Sequence, residues 1–336
     1  MYHKVRLTMI QIVTIKSRLI MSKGMMGMRV SVIIPSFNRV QSLKLCLEGL
    51  MRQCRLPDEI IVVVRNSDDA TMTFIASQID CRIRMVTVDV VGVIAALNTG
   101  LQHVSGDILV ITDDDTIAYP DWIEKIAEHF QSNERLGGLG GKDDVYHSGR
   151  LETGQRSRVG QLLWFGRMIG NHHIGYGRAR QADILKGANM SFRRKAIEGI
   201  LFDENLKGTG AQVHLEVPFC LAVKNRGWEL IYDPGVGVNH FPAERFDEDK
   251  RNTFNETAFF NMAHNETYSL LKNLNSAKRF IFLLWAFLIG SKATPGFIQW
   301  IRFIPQDKSM GLKKLLISFK GRVEGWRTWK LYRNSN

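Results

Sequence analysis

The chain has little with which to brace itself covalently. Its 336 residues include four cysteines, and Cys46, Cys54, Cys81 and Cys220 form no CxxC pair. That spacing speaks against structural zinc. Three of the four lie in or near apolar stretches, so they read as buried free thiols of a reducing compartment. No GxGxxG opens a helix after a strand-like run, and no Walker-type GxxxxGK appears, so the dinucleotide fingerprint and the P-loop are both missing. No stretch stays apolar for the roughly 20 residues that a membrane-spanning helix needs. The longest such run, Phe280–Ile289, has ten. The first residues alternate apolar and charged positions, with neither the continuous apolar core nor the cleavage site of a secretory leader.

Acidic residues are scarce at both ends. Residues 1–29 carry six Lys or Arg and no acid, and from residue 271 onward thirteen Lys or Arg meet only Asp307 and Glu324. The formal net charge of +12 therefore belongs to the ends, and the body between them is mildly acidic. This distribution suits a peripheral contact with anionic lipid better than a groove for nucleic acid, and no nucleic-acid partner is expected. A solvated basic tail is the plainer alternative. Residues 1–28 read as a poorly structured basic extension, with several methionines at which translation could start later.

What the body does have is a succession of short β-branched runs alternating with helical stripes. Residues 29–34 read as a first strand, ended by Pro35-Ser-Phe-Asn-Arg39, and Leu43, Leu47 and Leu50 give the next helix its apolar face. Further strands are expected at 60–64 and 83–88, with helices at 70–78 and from Gly92 through Leu101. Ile108–Thr112 reads as a buried strand that stops at Asp113, Asp114 and Asp115. The order β-α-β-α-β-α-β predicts an α/β fold, a Rossmann-like and mostly parallel central sheet flanked by helices. Ligands of such sheets bind beyond the carboxyl strand ends, where residues 35–39, 65–69 and 113–115 all fall. Extended geometry points Asp113 and Asp115 the same way, with Asp114 opposed. A divalent cation between those two carboxylates is one reading; a solvated loop capping the helix near Pro120 is the other.

Later segments add candidates. A helix over residues 121–130 turns Trp122, Ile123, Ile126 and Phe130 inward, and Gly137–Gly141 reads as a strand edge or a tight turn. Residues 142–180 read as irregular and shape access; His172 and His173 within them are expected to make ordinary hydrogen bonds. Gly187-Ala188 permits close approach of backbone to a ligand, and Arg193-Arg194 faces phosphate or solvent. A helix ending at Gly227 tolerates Pro218 only in its first turn, which leaves Glu216 at the positive helix end. Residues 228–232 and 236–241 are strands, the second bringing His240 to a strand end. The remainder from Arg251 reads as helical. There Phe280–Ile289 and Phe297–Ile304 are a buried core, an interfacial or re-entrant segment, or a tilted span, and Trp326, Trp329 and Tyr332 suit a lipid headgroup zone.

Five pieces in this order resemble the signature of a family 2 glycosyltransferase of GT-A fold: Val32-Ile-Ile-Pro-Ser-Phe-Asn38, the loop at 65–69, Gly106-Asp-Ile through Thr112-Asp-Asp-Asp115, Gly187-Ala-Asn-Met-Ser-Phe-Arg193, and Gly227-Trp228. The resemblance covers residues 29–245, divided at 118/119 into a nucleotide-sugar half and an acceptor half. Residues 246–336 are left as a helical, basic, membrane-associated extension. It implies a donor site built from Pro35, Ser36, Phe37, Asn38, Arg39, Arg65, Asn66, Asp68, Asn98, Asp113, Asp114, Gly187 and Ala188. Asp115 would reach a Mn²⁺ or Mg²⁺ ion that bridges the donor diphosphate, with Asp113 and the late His240 in support. Counting back from Gly227-Trp228 puts the catalytic base on Glu216, with Leu215 in the place of its acidic partner and His214 as second candidate.

The activity so implied is inverting transfer of a sugar from a nucleotide-diphosphate donor to a glycan or lipid-linked acceptor. Its setting would be surface polysaccharide or glycolipid synthesis at the cytoplasmic, inner face of a membrane. Arg65-Asn66-Ser67-Asp68 replaces the family's usual Asp-Asp-Gly-Ser, and Ala96-Leu97-Asn98 its Ala-Arg-Asn, so the donor base and sugar are not legible. Two rivals are a carbohydrate-binding protein that has lost catalysis and a sugar-phosphate nucleotidyltransferase. The second should have a Gly-rich basic loop after the first strand, and Pro35-Ser-Phe-Asn38 is neither.

Overall fold

The structure, a computed structural model, describes residues 27–249 and 254–335. The extension expected over residues 1–28 lies outside the described residues except for Gly27 and Met28. Strands β1 (Val30–Ser36), β2 (Glu59–Arg65), β3 (Ile83–Val88) and β4 (Ile108–Thr112) run parallel in the order β3-β2-β1-β4. Helices α1 (Val40–Met51), α2 (Asp69–Ala76) and α3 (Val93–Leu101) connect them. Alternation along the strands feeds two cores. Val32, Ile34, Val62 and Val110 pack with Leu43, Leu47 and Trp122, while Ile33, Ile61, Val63 and Ile111 pack with Leu97 and Phe219.

Beyond β4 the simple pattern stops. The chain continues through β5 (Thr116–Ala118), α4 (Trp122–Ser132), β6 (Leu136–His147), β7 (Asn189–Arg193), α5 (Glu216–Asn225) and β8 (Glu229–His240). β7 lies antiparallel between β4 and β6, β8 runs parallel to β6, and β5 pairs antiparallel with β8. Gly137–Gly141 is neither edge nor turn but the interior of β6, buried between neighbours. A Cβ on Gly141 would run into the Val236 carbonyl and the Asn189 amide. The two strands read at 228–241 are one, β8, with a shift of register between Asp233 and Gly237. Asn189 fills that irregularity: its Nδ2 donates to Val236 O (2.9 Å) and Lys142 O (3.1 Å), and its Oδ1 accepts from Trp122 Nε1 (3.0 Å).

Several expectations are corrected here. Of the pair expected to face phosphate or solvent, Arg194 is exposed to solvent, while Arg193 is half-buried against backbone carbonyls. Arg193 pairs with Ile108, at the other end of β4, and donates to the carbonyls of Phe130, Asn133 and Leu136; Arg194 donates to Ser105 O at 2.9 Å. Of the four free cysteines, Cys46 and Cys220 are buried, whereas Cys54 and Cys81 are exposed. His172 does make an ordinary hydrogen bond, through Nε2 to Ile184 O at 3.0 Å.

Three helices, α6 (Glu256–Asn273), α7 (Ser276–Leu288) and α8 (Phe297–Ser335), complete the chain. A fully buried Arg322 ties α8 to Glu266 (3.1 Å) and to Thr294 O (2.9 Å). The run at 280–289 is half core: Phe282, Trp285 and Ala286 are buried, while Phe280, Leu284, Leu288 and Ile289 are exposed. No helix among the described residues is long and apolar enough to cross a membrane, which sets the tilted span aside for them. Trp329 and Tyr332 turn to the body rather than outward. Arg279 lies 4.9 Å from the Trp329 ring centroid, and Tyr332 meets Tyr268 edge-on with Lys272 over its ring.

Candidate active site

β4 ends at Thr112 and the chain turns at once. The Thr116 hydroxyl donates to Asp113 O at 2.8 Å, closing a tight turn that hands the chain to β5. The three acids diverge within it. Asp114 accepts from Ser36 Oγ (2.8 Å) and from Arg39 Nη1 (3.0 Å), both at the end of β1. Asp115 Oδ2 accepts from the Ala243 backbone N–H at 2.9 Å, and its Oδ1 lies 3.3 Å from His240 Nε2. The antiparallel pairing of β5 with β8 sets Thr116 opposite His240 and so brings the histidine there. Asp113, Asp115 and His240 thus present ligand atoms within 4.8 Å of one another.

Burial and charge divide the acids. Burial pushes Asp114 up to about 7, with Asp115 adding to the rise and Arg39 opposing it. Asp113 is raised by burial and then by Asp115. Burial would raise Asp115 too, but His240, the Ala243 N–H and Arg39 outweigh it and lower the carboxyl to about 2. For His240 burial disfavours the cation, yet Asp115, Asp143 and Asp113 carry it up to about 9.

Asp143, which the sequence reading missed, stands behind this histidine. It is 1% exposed, with Oδ2 3.7 Å from His240 Nδ1 and 4.0 Å from Lys186 Nζ. Both Asp143 oxygens, both His240 ring nitrogens and Asp115 Oδ1 are buried without a hydrogen-bond partner among the described residues. Folded chains rarely leave such atoms unpaired. On the Asp113–Asp115–His240 side, oxygen and imidazole donors at this spacing fit a divalent cation. The only signal in the sequence was Lys142-Asp-Asp144 directly after a glycine pair.

A cavity of about 500 Å³ opens against the turn. Pro35, Ser36, Phe37, Arg39, Arg65, Asp113, Asp114, Gly187 and Ala188 line it, as do Asp115 and, unforeseen, Lys186. The Arg65 guanidinium lies 4.9 Å from the Phe37 ring centroid, and Phe246 meets that ring edge-on at 6.1 Å. Phe246 belongs to residues 241–249, a segment the sequence reading did not assign to the site. It is tied down by Arg39 Nη2 to Glu244 O (2.7 Å), by the Ala211 N–H to Asp247 (2.8 Å) and by the Thr209 N–H to Glu248 (3.1 Å). His214, Leu215 and Glu216 line the same cavity, Glu216 as the first residue of α5 and His214 at a φ of 72°.

Four residues expected at the donor are not in the cavity lining: Asn38, Asn66, Asp68 and Asn98. Asn66 is exposed. Asp68 caps α2, accepting from the Thr71 N–H (3.1 Å) and hydroxyl (2.6 Å), and its Oδ2 also takes the Asn38 N–H (2.5 Å). It shapes the loop from behind. Asn98 turns its amide to Phe202, donating to its carbonyl (2.9 Å) and accepting from its N–H (2.8 Å), and Nδ2 also donates to Glu204 Oε1 (3.4 Å). Those backbone groups would otherwise be buried and unpaired, which is why the side chain is held away from the cavity.

A mostly parallel sheet, with a carboxylate turn at its fourth strand end and a cavity against that turn, defines the GT-A class of glycosyltransferases. The family model for glycosyl transferase family 2 matches residues 31–201, and the chain belongs to that family. It is similar to a glucosyl-dolichyl phosphate glucuronosyltransferase of Haloferax volcanii, 25% identical over 226 residues, covering 63% of this chain and 69% of that one. It is also similar to the uncharacterized glycosyltransferase YwdF of Bacillus subtilis, 31% identical over 106 residues, covering 31% and 39% of the two chains. An uncharacterized glycosyltransferase of Haemophilus influenzae is 33% identical over 114 residues. The match spans 39% of the Bacillus relative's length and 35% of the Haemophilus one's.

Among solved structures, the fold resembles the mannosyltransferase PcManGT from Pyrobaculum calidifontis in complex with GDP-Man and Mn²⁺ (TM-score 0.54, 16% identity, 89% of this chain and 87% of that one). It also resembles S. aureus TarS 1-349 in complex with UDP-GlcNAc (TM-score 0.57, 15% identity, 92% and 93%). At these identities the likeness is one of fold.

Proposed function

We propose that the chain is an inverting glycosyltransferase, moving a sugar from a nucleotide-diphosphate donor to an acceptor hydroxyl. One observation carries this reading: the 113–115 turn, the 35–39 loop and Glu216 on a helix N-terminus all line a single cavity. Asp115, Asp113 and His240 would hold Mn²⁺ or Mg²⁺, His240 being braced by Asp143 from behind. When bound, the cation neutralises charge on the leaving diphosphate. Arg39 and Lys186 add positive charge on the cavity wall. The Phe37 ring with Arg65 offers a flat surface for a nucleobase. Glu216 accepts the proton of the acceptor hydroxyl as it attacks, with His214 the alternative base. A single displacement of this kind inverts the anomeric carbon. The GDP-Man and UDP-GlcNAc bound by the two structural neighbours support a nucleotide-sugar donor.

The glucosyl-dolichyl phosphate in the name of the Haloferax relative supports a lipid-linked acceptor, with a free glycan as the alternative. We place the reaction in surface polysaccharide or glycolipid synthesis, in peripheral contact with the inner face of a membrane. The deciding experiment is Glu216→Gln. Donor binding should persist while transfer falls by about 10²- to 10⁴-fold; unchanged turnover would move the base to His214. Full activity in EDTA would remove the metal from the reading. Donor hydrolysis without acceptor separates an enzyme from a binding protein of the same fold.

A further inference from the structure

Away from the cavity, one corner of the molecule has an unusual surface. Phe280, Leu284 and Leu288 recur every fourth residue along α7 and are exposed, Phe280 by 64%. The other face of that helix is core, with Phe282, Trp285 and Ala286 packed among Val217, Leu221, Leu270 and Leu271. The apolar surface continues past the connecting turn, where Phe297, Ile298, Ile301 and Ile304 open α8 and are all exposed. The turn is firm. Gly296 N–H bonds Ile289 O (3.1 Å), Ser291 N–H bonds Thr294 O (3.0 Å), and Thr294 Oγ1 donates to the buried Glu266 (2.8 Å). The two apolar stretches are therefore held as parts of one corner. Scattered exposed apolar residues need no explanation, but a cluster of this size does.

We infer that this corner docks on the surface of an anionic lipid bilayer, its apolar side chains entering the boundary between headgroups and acyl chains. Charge selects the occupant. No Asp or Glu occurs from residue 267 to residue 306, whereas Lys278, Lys292 and Arg302 lie within that stretch and are exposed. A second copy of the chain would bring these cations against their like with no acid in the stretch to pair them. An anionic lipid surface supplies the opposite sign. The contact is peripheral, since no described helix can cross a bilayer. It stands independently of the metal and of Glu216.

The test uses the full chain and phosphatidylcholine vesicles with and without phosphatidylglycerol, read by co-sedimentation. Binding should require phosphatidylglycerol and weaken as salt is raised. Residues 1–29 are basic as well, so the apolar pair decides. Ile298→Glu combined with Ile301→Glu should lower vesicle partition by at least about tenfold, with the melting temperature and nucleotide binding unchanged. Lys292→Glu with Arg302→Glu should weaken binding to the anionic vesicles. Wild-type protein that ignores both vesicles, or a double-Glu variant that binds as well as wild type, overturns the inference. So does light scattering that shows a wild-type dimer made monomeric by Ile298→Glu and Ile301→Glu.

Discussion

His240 is the point at which a proton and a metal ion compete. In the metal-free protein its ring is carried up to about 9 by Asp115, Asp143 and Asp113, against burial; a free histidine titrates near 6.5. Below about 9 the ring is therefore protonated, and a cation must displace that proton to use the nitrogen. Apparent Mn²⁺ affinity should rise tenfold per pH unit up to about 9 and then level off. Between about pH 7 and about pH 9 that amounts to roughly 100-fold, or about 2.7 kcal/mol. Isothermal titration of Mn²⁺ across this window, in two buffers of different ionisation enthalpy, counts the protons released. Asp114, pushed up to about 7, titrates in the same window. Asp114→Asn should leave the slope of the upper half intact, while His240→Ala should flatten it. An affinity independent of pH, or a slope that survives His240→Ala, would refute the reasoning. The same raised value implies that the Asp115–His240 pair contributes fully to metal-free stability between about pH 4 and about 6.5. That contribution is lost as pH rises through about 9, where His240 deprotonates, and as it falls through about 2, where Asp115 protonates.

Three substitutions probe the surroundings. Asn98→Ala should cost about 1–3 kcal/mol in urea unfolding by stranding the Phe202 backbone groups, with nucleotide affinity unchanged; weaker nucleotide binding at full stability would return Asn98 to the donor site. Gly141→Ala drives a Cβ into the β6–β8 joint and should destabilise by about 1–3 kcal/mol or more in a thermal melt, so an unchanged melting temperature would show that the joint can relax. Asp143→Asn should keep the fold but weaken Mn²⁺ about 10- to 100-fold, and an unaltered dissociation constant would deny it a bracing role.

The half of the fold up to β4 was legible because its strands are short β-branched runs and its helices carry plain apolar stripes. There β3 (Ile83–Val88) and β4 (Ile108–Thr112) fall where periodicity put them. β7 was not legible as a strand. Its residues carry a family motif that reads as a loop for ligand approach, and its place between β4 and β6 depends on partners about 50 to 80 residues away. Gly137–Gly141 misled for the opposite reason. Glycine reads as a turn, yet here it makes room for Trp228, Leu230 and Val236 in a crowded sheet.

By itself the sequence determined the α/β class, the succession of strands and helices as far as β4, the three acids at a strand end and the Glu216 position at the start of a helix. Each is a statement about neighbours along the chain, which local periodicity, turn chemistry and helix-end electrostatics control. Only the tertiary structure decided that His240 stands against Asp115, that Asp143 stands behind His240, and that Asn98 clamps Phe202 instead of lining the cavity. It also decided which side chains of the apolar run 280–289 are core and which are left outside. Those outcomes depend on strand register and helix packing across long sequence separations, where a side chain's partner is set by the whole fold and not by its own neighbours.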